Sequence, residues 1–492
     1  PPGGRARGTL ARRSLDAHAA AGRYAPPVVS EPRERDPDAR PSAWQPLLPD
    51  APVHFPDDFA WGVGASAFQS EGGDVPNDWN DQIRAGRFPP NPGNGFFERA
   101  ERDFALVSDL GFRHYRLSLE WSRVEPERGR FDEDALDRYR AICDAARRAG
   151  LTPWVNFFHF THPRWLAERG GLGTPEGQDD FLRYVEHAAR ALHGHADHFH
   201  SQNESMVYVF GAYLTGQMPP FGTDGDRAQD MSRVVLSLHA RSYAVLKEID
   251  PRHTVATIEV YLDFHAEDPE DPRNVASVRS LDGWYNGILE GLATGRVSLP
   301  RAPEEPVEIP GLRGATDLYG FNYYNGTRVG RSGVASVADR PDSPRDAMGR
   351  HVHPRGMETG LVRVARALPG VPILVTENGC PTTDEDFRIR YVASHLAALD
   401  RARRAGADVR GYFHWTAVDN YEWAEGFSDA RFGLIGFDPA TGERSVKRSG
   451  EWMRGLIARG VLDPATVPWG EPLVRFDAAP PQDSLTRTEE TP

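Results

Sequence analysis

The sequence predicts a (β/α)8 barrel, an α/β fold in which eight parallel strands alternate with eight helices. Short apolar runs typical of buried strands alternate with segments of helical periodicity eight times over about 400 of the 492 residues. Glycine and proline stand at many of the boundaries. A doubly wound sheet is the alternative fold, but eight repeats favour the barrel.

Each predicted element has a local signal. The run at 115–121, YRLSLEW, alternates as a strand buried on one face does. The second helix places Cys143 on its apolar stripe and ends at Gly150, and Thr174-Pro175 is a typical start for the third. The predicted strands cover 59–69, 115–121, 152–160, 200–206, 253–260, 317–325, 372–379 and 409–417. The predicted helices cover 98–110, 133–149, 175–193, 227–249, 274–290, 358–368, 385–405 and 449–459.

We predict a single barrel domain over residues 51–465. Residues 1–50 are rich in Pro, Ala, Arg and Gly and predict a flexible, disordered arm, and residues 466–492 predict a loose tail. Arg12-Arg13 faintly resembles a twin-arginine signal, but charged residues interrupt the apolar region that such a signal needs. We therefore expect a cytoplasmic protein.

Composition narrows the class of partner. The formal net charge of −14 argues against nucleic acid and against anionic membrane surfaces. The two cysteines, Cys143 and Cys380, form no CxxC or Cys/His pattern that would bind a metal. We expect no metal, no cofactor, no nucleic acid and no membrane partner, and the sequence carries no signal for an oligomeric state.

Polar residues collect where the predicted strands end, and this is where barrel enzymes place their chemistry. Seven of the strand ends supply charged or hydrogen-bonding groups, interleaved with tryptophan. That composition fits a ligand dense in hydroxyl groups with flat apolar faces, which means a sugar. The residues are Gln69, Glu71, Arg116, Ser118, Glu120, His159, Asn203, Glu204, Asn322, Tyr324, Thr376, Glu377, Asn378, Trp415, Asp419, Glu422 and Trp423.

Glu204 and Glu377 are the candidate catalytic pair. They lie on the fourth and seventh strands, roughly opposite each other, and two carboxylates that flank a glycosidic bond are the minimal machinery for its hydrolysis. Arg116 could keep a neighbouring carboxylate ionised. Taken singly, such residues have structural explanations, since Trp415 could be a core residue and His159 a core histidine with its hydrogen bonds satisfied.

The motifs that hold these residues resemble glycoside hydrolase family 1, the β-glucosidase family, over roughly residues 54–460. In order they are FPDDFAWGVGASAFQSEG (55–72), YRLSLEWSRVEP (115–126), NFFHFTHPRWLAERGG (156–171), QNES (202–205), FNYYN (321–325), VTENG (375–379), YFHWTAVDNYEWAEGF (412–427) and RFGLIGFD (431–438). The resemblance implies a retaining exo-β-glycosidase, β-glucosidase first, that works through a covalent glycosyl-enzyme.

The resemblance also implies roles for single residues. Glu377 stands where the family has its nucleophile, and Glu204 where it has its acid/base. Arg116, Asn322 and Tyr324 match supporting positions. The positions that match sugar-binding residues are Gln69, His159, Asn203, Trp415, Glu422 and Trp423.

The chain departs from the family pattern in a few places. Ser205 stands where the family has proline after the acid/base, which would loosen or re-aim Glu204. Phe160 replaces a more usual tryptophan, and Glu120 adds a third carboxylate. The segment 430–432 lacks the Lys-Arg-Tyr of the phospho-glycosidase branch, which favours an unphosphorylated β-glycoside or short oligosaccharide.

Two alternatives stay open at this point: a transglycosidase that uses the same machinery, and a sugar-binding protein without turnover. The Pro- and Asp-rich insertions 261–275 and 326–357 are predicted to be loops, and the loops 217–230 and 326–357 are expected to contact the aglycone.

Overall fold

Eight parallel strands close into a barrel in the computed structural model of the chain, which confirms the predicted fold class. The structure describes residue 44 and residues 47–330, 333–339 and 342–468, so most of the predicted arm and tail lies outside the described residues. Each strand pairs with its neighbours in chain order, and the eighth pairs with the first. The barrel strands are β1 (Ala60–Gly64), β2 (His114–Ser118), β3 (Thr152–Asn156), β4 (His198–Asn203), β5 (Thr254–Val260), β6 (Leu318–Asn322), β7 (Ile373–Asn378) and β8 (Val409–Trp415).

One long helix follows each strand and covers the outside of the barrel. Helix α2 buries Leu136, Tyr139, Ile142 and Cys143, the stripe that its periodicity predicts. The Oγ1 atom of Thr174 accepts a hydrogen bond of 3.1 Å from the backbone of Gly177, so the predicted start of α3 is confirmed. The long helices are α1 (Phe96–Asp109), α2 (Glu133–Arg148), α3 (Pro175–Leu192), α4 (Gly225–Ile249), α5 (Pro272–Tyr285), α6 (Pro354–Ala367), α7 (Glu385–Arg404) and α8 (Arg448–Arg459).

Shorter elements fill the connections. Short α-helices lie at Ala67–Glu71, Asp78–Arg84, Trp121–Val124, Arg164–Ala167, Ser205–Val209 and Ile288–Thr294, a π-helical turn at Phe210–Leu214, and 3₁₀ turns at Gly171–Gly173, Trp423–Glu425 and Pro464–Thr466. The small sheets pair Val53–His54 with Val461–Leu462, Arg296–Leu299 with Ala302–Glu308, Ile435–Phe437 with Arg444–Val446, and Gly326–Gly330 with both Asp263–Ala266 and Gly333–Ser336.

The predicted strand at 59–69 was wrong in its second half. The strand ends at Gly64, and Ala67–Glu71 is a helix. The residues after Val63 are small and not β-branched, which weakens the case for a strand. The N–H of Ala67 donates to Oγ of Ser118 at 2.7 Å instead of to a neighbouring strand.

The regions 261–275 and 326–357 were wrongly predicted as plain loops. Each contains a strand, and the two strands pair in parallel beyond the end of the barrel. The predicted helix at 274–290 is also divided, because α5 ends at Tyr285 and a second helix begins at Ile288 after Asn286 and Gly287.

Packing extends to the end of the predicted N-terminal arm. Trp44, Leu47 and Leu48 are buried, and the ring of Trp44 meets that of Phe387 on α7 edge to face at 5.2 Å. Within the described residues, no helix is both long enough and apolar enough to span a membrane. Cys143 and Cys380 are buried free thiols.

Candidate active site

Glu377 lies on β7 inside the barrel mouth and is almost fully buried. Its Oε1 accepts a hydrogen bond from Nη1 of Arg116, and its Oε2 accepts one of 2.6 Å from the hydroxyl of Tyr324. Burial and the charge of Glu377 raise the pKa of the Tyr324 phenol well above its ordinary value, so the phenol stays a donor. The carboxylate is therefore held by one cation and one neutral donor.

Arg116 on β2 connects this carboxylate to the opposite side of the mouth. Its Nη1 reaches Glu377, and its Nη2 donates to Oδ1 of Asn203 at the end of β4. The guanidinium is 1% exposed, so both interactions are shielded from water. One arginine thus fixes groups on two strands.

Glu204 follows β4 directly and has a different environment. Its Oε1 accepts a hydrogen bond of 2.7 Å from Nδ2 of Asn322, a neutral donor. Burial and the negative charge of Glu377 raise the pKa of Glu204 well above its ordinary value. A carboxyl group with a raised pKa holds its proton more firmly than usual and can give it to a leaving group.

Asn322 is oriented from behind by its second polar atom. The hydroxyl of Thr376 donates to Oδ1 of Asn322 at 2.7 Å, so the Nδ2 group must face Glu204. Thr376 directly precedes Glu377 on β7, and Asn322 pairs with Glu377 in the strand register. The two carboxylates are therefore connected through short side chains on β6 and β7.

A second group of polar residues lies beside the carboxylates. Nε2 of Gln69 donates to the backbone oxygen of Tyr421 at 2.9 Å and to Oε2 of Glu422 at 3.3 Å, and Oγ of Ser66 donates to Oε1 of Gln69. Burial raises the pKa of Glu422 to about 8; the cation of Arg350 opposes this shift, and the charge of Glu377 adds to it. Glu422 and Gln69 form one hydrogen-bonded unit that offers donors and acceptors to a ligand.

Aromatic rings form the wall of the pocket. The ring of His159 is nearly parallel to those of Trp415 and Trp423, at 5.9 and 6.1 Å between centroids. Burial, together with the charge of Arg116, holds the pKa of His159 well below its ordinary value, so the imidazole is neutral. At Gly64 a Cβ atom would lie 3.0 Å from the ring of Trp415, so the glycine leaves room for this ring. The wall has the flat apolar surface that a sugar face needs.

The structure therefore brings together all the residues for which the resemblance implies a role. Gln69 reaches the site from the helix Ala67–Glu71 instead of from a strand end.

Glu120 and Glu71, both predicted at the rim, form hydrogen bonds with residues outside the pocket. Oε2 of Glu120 accepts from Thr161 at 3.0 Å, and its Oε1 accepts from Ser122. Both oxygens of Glu71 accept from Tyr139 at 2.9 Å. The alternation that placed Glu120 beside Arg116 ends with β2 at Ser118, and Glu120 is the N-cap residue of the short helix Trp121–Val124.

Three other residues of the predicted rim are also engaged outside the sugar pocket. Oγ of Ser118 accepts from the backbone of Ala67, Nδ2 of Asn378 donates to the backbone oxygen of Tyr323 at 2.7 Å, and Asp419 pairs with Lys447 at 2.8 Å.

Sequence reasoning missed three residues near the site. Ser66 orients Gln69, and Arg350 lies 5.6 Å from the ring centre of Tyr324. Glu259 on β5 accepts hydrogen bonds from Ser205 and Met206, directly after Glu204. An acid within an otherwise apolar strand, TVATIEV, was the available signal for Glu259.

Comparison with known proteins decides the family. The model of glycosyl hydrolase family 1 matches residues 51–461. The chain belongs to glycosyl hydrolase family 1. Among curated members, the β-glucosidase A of Thermotoga maritima is 28% identical over 444 residues, which cover 83% of this chain and 99% of that one.

Solved structures of family 1 members agree. A β-glycosidase from Pyrococcus horikoshii superposes with a TM-score of 0.77 at 30% identity, covering 84% of this chain and 97% of that one. The family 1 β-glucosidase from Thermotoga maritima in complex with isofagomine lactam superposes with a TM-score of 0.75 at 26% identity, covering 83% of this chain and 99% of that one. This family 1 chain is therefore a glycoside hydrolase, a retaining β-glycosidase that binds small glycosides.

Proposed function

We propose that the chain is an exo-acting β-glucosidase that hydrolyses unphosphorylated β-glycosides or short oligosaccharides, with Glu377 as nucleophile and Glu204 as acid/base. One observation carries this assignment: the two carboxylates have opposite environments. Arg116 and Tyr324 donate to Glu377, whereas Glu204 is buried, accepts from the neutral amide of Asn322 and is repelled by the charge of Glu377. One group is prepared to attack and the other to give a proton.

In the first step, an oxygen of Glu377 attacks the anomeric carbon, and the bond from this carbon to the glycosidic oxygen breaks. Glu204 transfers its proton to that oxygen, so the aglycone leaves as a neutral alcohol. As Glu377 becomes an ester, its negative charge is lost. The repulsion that raised the pKa of Glu204 is lost with it, which prepares Glu204 to act as a base.

In the second step, water attacks the anomeric carbon and gives a proton to Glu204. The bond between this carbon and Glu377 breaks, and the carboxylate returns to Arg116 and Tyr324. Two inversions leave the configuration of the sugar unchanged. Both residues end in their starting protonation states.

The polar group beside the carboxylates is suited to a single terminal sugar. Gln69, Glu422 and the amide of Asn203 offer bidentate partners for neighbouring hydroxyl groups, and Trp415 offers a surface for stacking. The segment that reads Lys-Arg-Tyr in the phospho-glycosidase branch reads Ala430-Arg431-Phe432 here, and Arg431 is exposed. These features support a preference for an unphosphorylated sugar.

A panel of p-nitrophenyl β-glycosides tests the proposal. It comprises the glucoside, galactoside, fucoside and 6-phosphoglucoside, assayed with the wild type and with Glu377→Gln. We expect release of p-nitrophenol from the unphosphorylated β-glucoside by the wild type and loss of nearly all release in Glu377→Gln, with an unchanged circular dichroism spectrum. No release from any member would contradict an exo-β-glycosidase, and the 6-phosphoglucoside as the best substrate would contradict the sugar preference.

The same assay distinguishes the proposed hydrolase from the two alternatives that the sequence left open. A transglycosidase would give a glycosylated alcohol as its main product when an alcohol is added, and a sugar-binding protein would bind gluconolactone without any turnover. The cytoplasmic location and the absence of nucleic-acid and membrane partners stay predictions from the sequence.

A further inference from the structure

Glu259, one residue before the end of β5, is a buried carboxylate that the two-step mechanism does not use. It is 4% exposed. Its Oε1 accepts from the backbone N–H of Ser205 at 3.1 Å and from the hydroxyl of the same residue, and its Oε2 accepts from the N–H of Met206 at 3.3 Å. All three donors belong to the two residues that follow Glu204.

These donors are the start of the helix Ser205–Val209, and Glu204 is its N-cap residue. The first N–H groups of a helix have no partner within the helix and are commonly satisfied by the side chain of the N-cap. The side chain of Glu204 cannot do this, because it points to Asn322. Glu259 supplies the missing acceptor from the neighbouring strand.

The backbone at Glu204 also needs support. Its φ of 46° and ψ of 59° lie in the left-handed region, which is unfavourable for a residue with a Cβ atom. Its own N–H donates to the backbone oxygen of Ile258 at 3.0 Å, and the next two N–H groups donate to Glu259. Neighbouring residues of β5 therefore hold the turn that aims Glu204.

The pairing accounts for the departure at Ser205. A proline at the first position of a helix has no N–H and needs no acceptor there. Ser205 has both an N–H and a hydroxyl, and Glu259 accepts from both. From the sequence, Ser205 was expected to loosen Glu204. The contact between Ser205 and Glu259, which only the fold reveals, opposes that loosening.

We propose that Glu259, through Ser205, is a positioning residue that fixes the turn of Glu204. The inference rests on the proposed acid/base role of Glu204. Glu259 acts through that residue and does not touch the sugar.

The electrostatics agree with the geometry. Burial raises the pKa of Glu259 to about 7, and the hydrogen bonds from Ser205 and Met206 oppose this shift. The ionisable groups that face it are Glu204 and the phenols of Tyr285 and Tyr319. Above neutral pH Glu259 is largely ionised, and its charge adds to the effect of burial and of Glu377 in keeping the proton on Glu204.

The test compares Glu259→Gln, Glu259→Leu and Ser205→Ala on two aryl β-glucosides. A 2,4-dinitrophenyl leaving group needs almost no protonation, whereas a phenyl leaving group needs the acid. Glutamine keeps an acceptor for the N–H groups but has no charge, leucine has neither, and Ser205→Ala removes only the hydroxyl. Glu125→Gln is the matched control, since Glu125 is a buried carboxylate that also accepts from a backbone N–H, that of Gly129, outside the site.

For Glu259→Gln we expect kcat/KM on the phenyl glucoside to fall roughly tenfold and on the dinitrophenyl glucoside less than about threefold, a part of the 10²–10⁴-fold that general acid catalysis supplies. Because the repulsion is removed, the basic limb of the kcat/KM profile should move to lower pH. Glu259→Leu should lower kcat/KM on the phenyl glucoside still further relative to the dinitrophenyl glucoside. Ser205→Ala should change this ratio in the same direction but by a smaller factor. Glu125→Gln should leave both the ratio and the limb unchanged.

Glu204→Gln separates this inference from the proposed function. Glu422 also titrates near pH 8, so the basic limb must first be assigned. If Glu204→Gln keeps both the limb and the phenyl substrate rate, the proposed role of Glu204 fails. Suppose instead that Glu204→Gln loses both the basic limb and the phenyl substrate rate. The positioning role is then overturned if Glu259→Gln and Ser205→Ala change kcat/KM for the two substrates by the same factor, or not at all, and leave the basic limb where it is. Should Glu259→Leu not fold, Glu259→Gln and Ser205→Ala decide alone, since both keep the packing volume or reduce it only slightly.

Discussion

The hydroxyl of Tyr324 donates a hydrogen bond of 2.6 Å to Oε2 of Glu377, the oxygen that Arg116 does not contact. Tyr324 lies two residues after the end of β6 and Glu377 lies on β7, so the contact depends on the pairing of these two neighbouring strands. Each oxygen of the proposed nucleophile therefore has one fixed donor, which leaves the attack direction defined before substrate binds.

Tyr324→Phe should lower kcat/KM without changing the fold. Loss of a hydrogen bond to a charged group corresponds to about 1.5–3 kcal/mol, or roughly ten- to a hundredfold in rate. Steady-state kinetics on the best substrate of the panel measure it. Tyr243→Phe is the control, because Tyr243 also donates to a carboxylate, Asp317 at 3.0 Å, on the outside of the barrel. Equal losses of kcat/KM in the two variants would mean that the loss comes from lower stability and not from a change in the active site.

Thr376→Val should act on the acid step through Asn322. Without the Thr376 hydroxyl, the amide of Asn322 can rotate and present its oxygen to Glu204, which removes the 2.7 Å hydrogen bond. We expect kcat/KM on poor leaving groups to fall by about fivefold, the equivalent of one neutral hydrogen bond. The measurement is a plot of log kcat/KM against leaving-group pKa. A slope identical to that of the wild type would contradict the orienting role.

Gln69→Ala should weaken binding of the sugar without changing how the rate depends on the leaving group. It removes the group that bonds Glu422 at 3.3 Å and leaves the proposed hydroxyl partners incomplete. We expect kcat/KM to fall on the order of a hundredfold for every aryl glucoside alike. Gln229→Ala is a suitable control, since Gln229 bonds the backbone of Arg301 outside the site. A loss that depends on the leaving group would place Gln69 in a different role.

His353 predicts a pH dependence of stability. It starts α6 with Nε2 at 3.0 Å from Asp263 and Nδ1 at 2.6 Å from Asp339, joining the segments that follow β5 and β6. Burial disfavours the imidazolium, but the two carboxylates outweigh it and raise the pKa of His353 to about 9. Because the folded pKa is above the ordinary 6.5, the stabilisation is complete below pH 6.5 and is lost as the pH rises through 9.

His353→Gln should remove this dependence. The shift corresponds to roughly 3 kcal/mol of unfolding free energy near pH 6, falling towards zero above pH 9. The depressed pKa of Asp263 gives the opposite trend in acid, where stability is lost as the pH falls. Urea unfolding of wild type and variant at pH 6, 8 and 10 measures the difference. His187→Gln is the control, since its contact with Glu133 is exposed; a wild-type advantage that does not shrink between pH 6 and 10 would contradict the account.

The fold could be predicted well from the sequence because barrel strands are buried runs and their helices have regular apolar stripes. Val375 and Cys143 illustrate the two signals, and both lie in the elements that their patterns predict. The helix Ala67–Glu71 was missed because five residues are too few to show a helical period. The strands beyond the barrel were missed because their pairing is between distant segments.

The site could be predicted in its residues but not in its contacts. Glu377 and Glu204 were named from motifs, yet only the fold shows that Arg116 and Tyr324 face one of them and Asn322 the other. Glu120 was placed at the rim because alternation was extended beyond the strand. The acid in β5 was visible in the sequence, but its role was not, since the side chain of Glu259 meets backbone groups whose position depends on the turn at residue 204.

Trapping of the covalent intermediate tests the central claim most directly. A 2,4-dinitrophenyl 2-deoxy-2-fluoro-β-glucoside should react once, because the fluorine slows both steps and the good leaving group spares the first. We predict a gain of one fluorosugar mass in the intact protein, with the label on Glu377 after proteolysis, and no gain in Glu377→Gln. A label on any other residue, or rapid turnover to the inverted sugar without a covalent species, would contradict the account.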